Sequence, residues 1–150
     1  MNRNSKGYTL IELLVVITIS IIVFGVGLAG YREFSRRQAL TGILKQVKAD
    51  LRLAQQLALT GQKPETCAKL IGYTFTATSS NYKIIASCSG GSVENKSADM
   101  PVNTTISAGS LTFKILGQGT SLSSSLTFTI TNSVAGTTGT VIVGTGGDIN

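Results

Sequence analysis

Between Leu13 and Tyr31 the sequence carries no charged side chain. A helix rising about 1.5 Å per residue over that stretch reaches roughly 30 Å, the thickness of a bilayer's hydrocarbon core. The length therefore predicts a membrane helix over residues 8–31. Glu12 stands at the mouth of the run, preceded by Leu10 and Ile11. An ionisable group placed there costs on the order of 2.5 kcal/mol or more unless it is paired, so by default it marks a function. A secretory signal peptide would have a shorter apolar run, followed by a small-residue cleavage site. A plain single-span anchor accounts for the length but for neither Gly7 nor Glu12. Flanking charge leaves the orientation open, because Arg3 and Lys6 on one side face Arg32, Arg36 and Arg37 on the other.

A chain of 150 residues with such a run has room for one further domain of roughly 90 to 120 residues. Only 13% of the residues are charged, about half the usual share, and Ser, Thr and 17 Gly are abundant. That balance suits a β-rich extracytoplasmic module better than a cytosolic enzyme. The formal charge of +6 belongs to the leader and to residues 31–60, where Arg32, Arg36, Arg37, Lys45, Lys48 and Arg52 outnumber Glu33 and Asp50. Beyond residue 60, Lys63, Lys69, Lys83, Lys96 and Lys114 are nearly balanced by Glu65, Glu94, Asp99 and Asp148. A dense phosphate-binding face would need more cations on one surface.

The periodicity divides the rest of the chain. Leu40, Ile43, Leu44, Val47, Leu51, Ala54, Leu57 and Ala58 recur every three or four residues, which predicts one apolar stripe on a helix. Gly61 supplies a stop and Pro64 prevents resumption. Gly25, Gly27 and Gly30 weaken the helix at the end of the apolar run, each by about 1 kcal/mol against Ala. From Ile71 the period drops to two: Ile71 to Ala77, a turn at Thr78 to Asn81, and a returning strand Tyr82 to Cys88. Ser89 to about Pro101 reads as a flexible surface stretch. Strands follow over Val102–Ser107, Leu111–Leu116 and Leu126–Thr131, then a turn Ala135–Gly139 and a last strand Thr140–Gly144. Cys67 and Cys88, in a chain sent across a membrane, are read as a disulfide in preference to two separate buried thiols.

The stretch Gly7-Tyr8-Thr9-Leu10-Ile11-Glu12-Leu13-Leu14-Val15-Val16, behind a short basic leader, resembles the processing site of type IV prepilins and type II secretion pseudopilins. The Gly, the Glu and the apolar tail are all in register; Tyr8 stands where Phe is commonest in that family. The resemblance implies an α+β, pilin-like fold in which a long N-terminal helix packs on a small antiparallel sheet or a two-sheet head. It divides the chain into a cleaved leader (1–7), a transmembrane or filament-core helix (8–31), an amphipathic stalk helix (32–61) and a β-rich head (62–150). It also implies a prepilin peptidase that cuts after Gly7 on the cytoplasmic face and methylates the new terminus at Tyr8. Glu12 would then meet the terminal amine of a neighbouring subunit as an inner-membrane platform assembles the filament. Before assembly the subunit would be a single-pass inner-membrane protein with an extracytoplasmic head.

The C-terminal part carries a second resemblance. Leu111-Thr112-Phe113 leading to Gly117, a Gly/Ser loop, Leu126 to Thr131, and Gly139-Thr140-Val141-Ile142-Val143 before Gly146-Gly147 are similar to the heads of H-type minor pseudopilins and T-type minor fimbrial pilins. This implies two small sheets and a minor subunit. Some T-type members bind DNA through a basic C-terminal tail. Here the tail, Gly146-Gly147-Asp148-Ile149-Asn150, has neither Arg nor Lys, which speaks against nucleic acid and leaves a DNA-uptake pilin as the alternative reading.

No enzyme is visible in the residues. There is no His for acid-base work near neutral pH, and no Gly-x-Ser-x-Gly elbow. Two isolated cysteines without His make no four-ligand metal set. Glu94 and Asp99 share a stretch that in some major pseudopilins helps hold Ca²⁺, but without EF-hand spacing they read as solvated charges. The expectation is a structural subunit with no cofactor.

Overall fold

Helix α1 spans Leu10–Thr60 and is unbroken through Gly25 and Gly30, where weakening is expected. The computed structural model describes residues 7–150, apart from the side chains of residues 26–29, 32 and 33; the expected leader therefore lies outside the described residues except for Gly7. The chain divides into two compact units, residues 1–36 and 37–150. In the first, Leu13, Leu14, Val15, Val16 and Ile17 are consecutive and all exposed, so this part of α1 is apolar all round. Among the described residues no helix is long and apolar enough to cross a membrane; the run expected to span includes residues 26–29, whose side chains are not described.

In the second unit the predicted stripe is the buried face of α1. Leu40, Val47, Leu51, Ala54 and Ala58 are buried, with Ile43, Leu44 and Leu57 packed beside them. The helix ends as its sequence dictates. Gly61 adopts φ +62, its N–H donates to the Ala58 carbonyl, and the Gln62 N–H donates to the Leu57 carbonyl. This is the paired bonding of a Schellman cap, which satisfies carbonyls the helix would otherwise leave orphaned.

Two antiparallel sheets complete this unit. The larger is built from β1 (Leu70–Ala77), β2 (Asn81–Cys88), β3 (Gly91–Asp99) and β5 (Gly109–Lys114), in the order β3-β2-β1-β5. The smaller is built from β4 (Thr104–Ile106), β6 (Leu126–Asn132) and β7 (Thr137–Val143), in the order β4-β6-β7. Tyr73, Phe75, Tyr82, Ile84, Leu111 and Phe113 from the first sheet share one core with Phe128, Ile130, Val141 and Val143 from the second. Phe75 links the two sheets, stacking on Tyr82 at 5.2 Å between ring centroids and meeting Phe128 edge-on at 5.3 Å. The α+β architecture, with a helix and a two-sheet head, is as the sequence predicts.

Three boundaries differ from expectation. The stretch read as a flexible loop up to Pro101 contains β3, a strand whose residues are exposed or half-buried throughout; without a buried face it shows no apolar alternation. A bulge at Asn95, between the Ile84–Lys96 and Ile85–Glu94 pairs, and the strand's charges protect this open edge from further pairing. Strand β5 stops at Lys114 instead of Leu116, because Leu116 takes the left-handed conformation (φ 56, ψ 32) in a tight turn Ile115–Gly117. Strand β7 begins at Thr137, not Thr140, because Asn132 makes the preceding turn: its Oδ1 accepts from the N–H groups of Val134 and Ala135. The β7 edge is covered in turn by the chain end, where Ile142 and Asn150 exchange both backbone bonds at 3.0 Å.

Cys67 and Cys88 form a disulfide, with Cα atoms 5.6 Å apart. It joins the loop after α1 to the end of β2, and by loop-closure entropy it stabilises the fold by about 3 kcal/mol. Replacing both cysteines by Ala is expected to lower the stability of the chain by about that amount in chemical denaturation. Adding a reductant should then have no further effect on the variant.

Candidate assembly site

The start of α1 is set by Thr9. Its carbonyl accepts from the Leu13 N–H at 3.1 Å and its Oγ1 accepts from the Glu12 N–H at 3.3 Å. Thr9-Leu10-Ile11-Glu12 thus has the spacing of a capping box, a signal in the sequence that also explains a carboxylate in the first turn, where the helix dipole favours negative charge. Glu12 nonetheless remains exposed, as do Gly7, Tyr8 (84%) and Leu10 (82%). The amino end therefore presents a carboxylate and an aromatic residue on an apolar rod, with no second acid beside Glu12. Farther along, the Thr18 hydroxyl donates to the Leu14 carbonyl and that of Ser20 to the Val16 carbonyl, both at 2.8 Å. These hydroxyls are satisfied by their own helix, so they present no unmet donor to an apolar surrounding.

In the 37–150 unit a polar cluster escapes a reading by periodicity. Asp50 falls on the apolar stripe between Val47 and Leu51 and is buried at 5% exposure. Its Oδ2 accepts from the Tyr82 hydroxyl at 2.7 Å, and its Oδ1 accepts from Lys96 Nζ at 2.6 Å. One carboxylate thus ties α1 to β2 and to the edge strand β3. A charged residue at a stripe position was the signal available in the sequence. Burial first, then the hydrogen bond and charge of Asp50, push the Tyr82 phenol well above its usual value. Two further side-chain bonds hold flanking loops: Tyr73 donates to the Gln62 carbonyl at 2.8 Å, and Gln55 Nε2 donates to the Gly147 carbonyl at 3.0 Å.

The residues weighed for metal are not gathered into a site. Glu94 pairs with Lys83 at 2.7 Å, and the described residues contain no group of three or more His, Cys, Asp or Glu able to hold an ion. A surface hollow of about 260 Å³, lined by Thr66, Ala68, Cys88 and residues 90–93, has neither acid nor base among those residues.

Residues 2–30 match the family described as the prokaryotic N-terminal methylation motif. The motif points to a type IV pilin or pseudopilin subunit. It implies processing by a prepilin peptidase, membrane-anchored assembly with other pilins, and a structural role in preference to an enzymatic one. The match covers the amino end alone, the segment that holds Gly7, Tyr8 and Glu12. No match was found among curated proteins or among solved structures.

Tyr82→Phe removes a hydrogen bond to a buried charge and is expected to cost about 1.5–3 kcal/mol in equilibrium unfolding. The pH dependence follows from the raised phenol. The folded state holds the Tyr82 proton to higher pH than the unfolded chain does, so this contribution is complete below about pH 10 and is lost as pH rises past it. Thermal unfolding followed from pH 8 to pH 11 should show that alkaline loss in the wild type and a smaller one in Tyr82→Phe.

Proposed function

We propose that this chain is a structural subunit, of the minor class, in a type II secretion pseudopilus or a type IV pilus. The observation that carries the reading is the methylation motif over residues 2–30 on a helix whose following apolar surface is exposed on every side. In this reading a prepilin peptidase cuts after Gly7 and methylates Tyr8. Residues 8–31 hold the subunit in the inner membrane with the head outside until an assembly platform moves it into the filament.

The role proposed for Glu12 is electrostatic. A carboxylate alone in lipid is costly, whereas one paired with the Tyr8 amine of an adjacent subunit is neutralised, so pairing favours assembly and fixes axial register. Glu12→Ala is expected to leave the protein inserted and cleaved but to reduce its incorporation into filaments at least tenfold, read by immunoblotting of sheared filaments. Normal incorporation would remove Glu12 from the mechanism. Gly7→Ala should leave a precursor that retains its leader, seen as an unchanged amino-terminal mass.

One observation favours a second reading, DNA binding. Lys45, Lys48 and Arg52 share a face of α1 at helical spacing, and none has an ion-pair partner among the described residues. A gel shift with the detergent-solubilised full chain separates the two. Tight binding that weakens steeply with salt would support DNA uptake.

A further inference from the structure

At the end of the head where α1 stops, β1 begins and β5 ends, three large apolar side chains project into solvent. Leu59, in the last turn of α1, is 47% exposed. Ile71 is the extra residue of a bulge between the Leu70–Cys88 and Gly72–Ser87 pairs and is 54% exposed. Leu116 is 72% exposed and sits at φ 56, in the left-handed region that residues with a Cβ rarely adopt. The three belong to one surface. Leu59, Lys114 and Gly117 line a single shallow hollow, and Lys114 lies directly opposite Gly72, the residue after Ile71. The loop that follows the helix borders this surface, held by the Tyr73 hydroxyl on the Gln62 carbonyl.

Cations surround it. Lys63, Lys69 and Lys114 are all exposed, and none has an ion-pair partner among the described residues. Lys63 Nζ donates to the Ala68 carbonyl at 3.4 Å, beside Lys69. Arg52, two turns before Leu59 on the same face of α1, adds a further positive charge. The acids on the flanking segments are Glu65 and Asp148, the latter on the tail that passes Phe113 at Gly147. Apolar projections within a positive rim are the chemistry of an interfacial binder: the apolar groups enter the acyl boundary, and lysine stems lie along it with their amines at the phosphates.

A protein partner fits this surface less well. The hollow beside Leu59 holds about 30 Å³, room for a single water and not for an anchoring side chain. Protein interfaces favour aromatic residues and are depleted of lysine, whereas this surface has three lysines and no exposed aromatic side chain. Each projection stays about half open or more, so none shields another. A fluid bilayer conforms to such points, where a rigid partner would need three matching sockets.

We propose that this end of the head docks on an anionic bilayer surface, with Leu59, Ile71 and Leu116 in the interface and Lys63, Lys69 and Lys114 against the headgroup phosphates. Each lysine near anionic lipid contributes about fivefold in affinity, so the three give about a hundredfold preference over neutral lipid. The surface belongs to the 37–150 unit, and its role does not depend on the filament reading.

The experiment uses the full-length chain in phosphatidylcholine nanodiscs, mixed with sucrose-loaded vesicles that can be pelleted away from the discs. Vesicles containing one-third phosphatidylglycerol should carry down at least tenfold more chain than pure phosphatidylcholine vesicles. At about 1 M salt, where the Debye length falls to about 3 Å, the difference should vanish. Lys69→Glu with Lys114→Glu should lower the pelleted fraction at least tenfold, and Leu116→Ser at least threefold. A polarity-sensitive fluorophore attached through maleimide, which spares the Cys67–Cys88 disulfide, reports the contact. On anionic vesicles it should shift to the blue at Leu116→Cys and stay unchanged at Val102→Cys, which lies beside the β1–β2 turn at the other end of the sheet. Equal pelleting with neutral vesicles, or a shift at 102 without one at 116, would overturn the proposal. So would displacement by soluble glycerophosphoglycerol, the mark of a headgroup pocket, or a shift at 116 with a DNA duplex and none with vesicles, the mark of a nucleic-acid surface.

Discussion

An apolar helical surface with nothing over it is the constraint on which the rest depends. Each Leu or Ile left in water instead of being buried forgoes about 1.5–3 kcal/mol, and a folded domain has only about 5–15 kcal/mol in total. From Leu10 to Phe24 such side chains follow one another on every face of α1. The amino-terminal part of this chain therefore calls for an apolar surrounding, whatever the head does. The sequence meets that requirement in detail: the hydroxyls of Thr18 and Ser20 bond back to their own helix, and the one carboxylate stands in the first turn, where capping and the helix dipole receive it.

The head solves a different problem, which is to hold one face of a helix on two small sheets. Apolar burial supplies the driving force through Val47, Leu51, Ala54 and Ala58, but small and smooth side chains specify rotation and axial position poorly. Asp50 supplies what they lack. Its two oxygens reach different strands, so a helix turned or slid by one residue would leave a buried carboxylate unpaired, a state far costlier than an imperfectly filled gap. The disulfide acts where this lock does not, on the loop that follows the helix.

Much of this was legible in the residues, and the exceptions have a common cause. The α1 stripe, the β1–β2 hairpin, the cysteine pair and the Gly61 stop could be read because each rests on burial or on a special backbone angle that leaves a pattern in sequence. Strand β3 left none, since only Val93 and Ala98 of this edge strand pack on the core, both half-buried, with Lys96 and a bulge between them to break the alternation. Leu116 misled for the opposite reason: Leu111, Phe113 and Ile115 alternate as a strand does, but the chain leaves the strand after Lys114 through a turn that a Leu was not expected to occupy. Asp50 could have been found, because an acid on an apolar stripe demands a partner; which partners it has depends on strands distant in sequence.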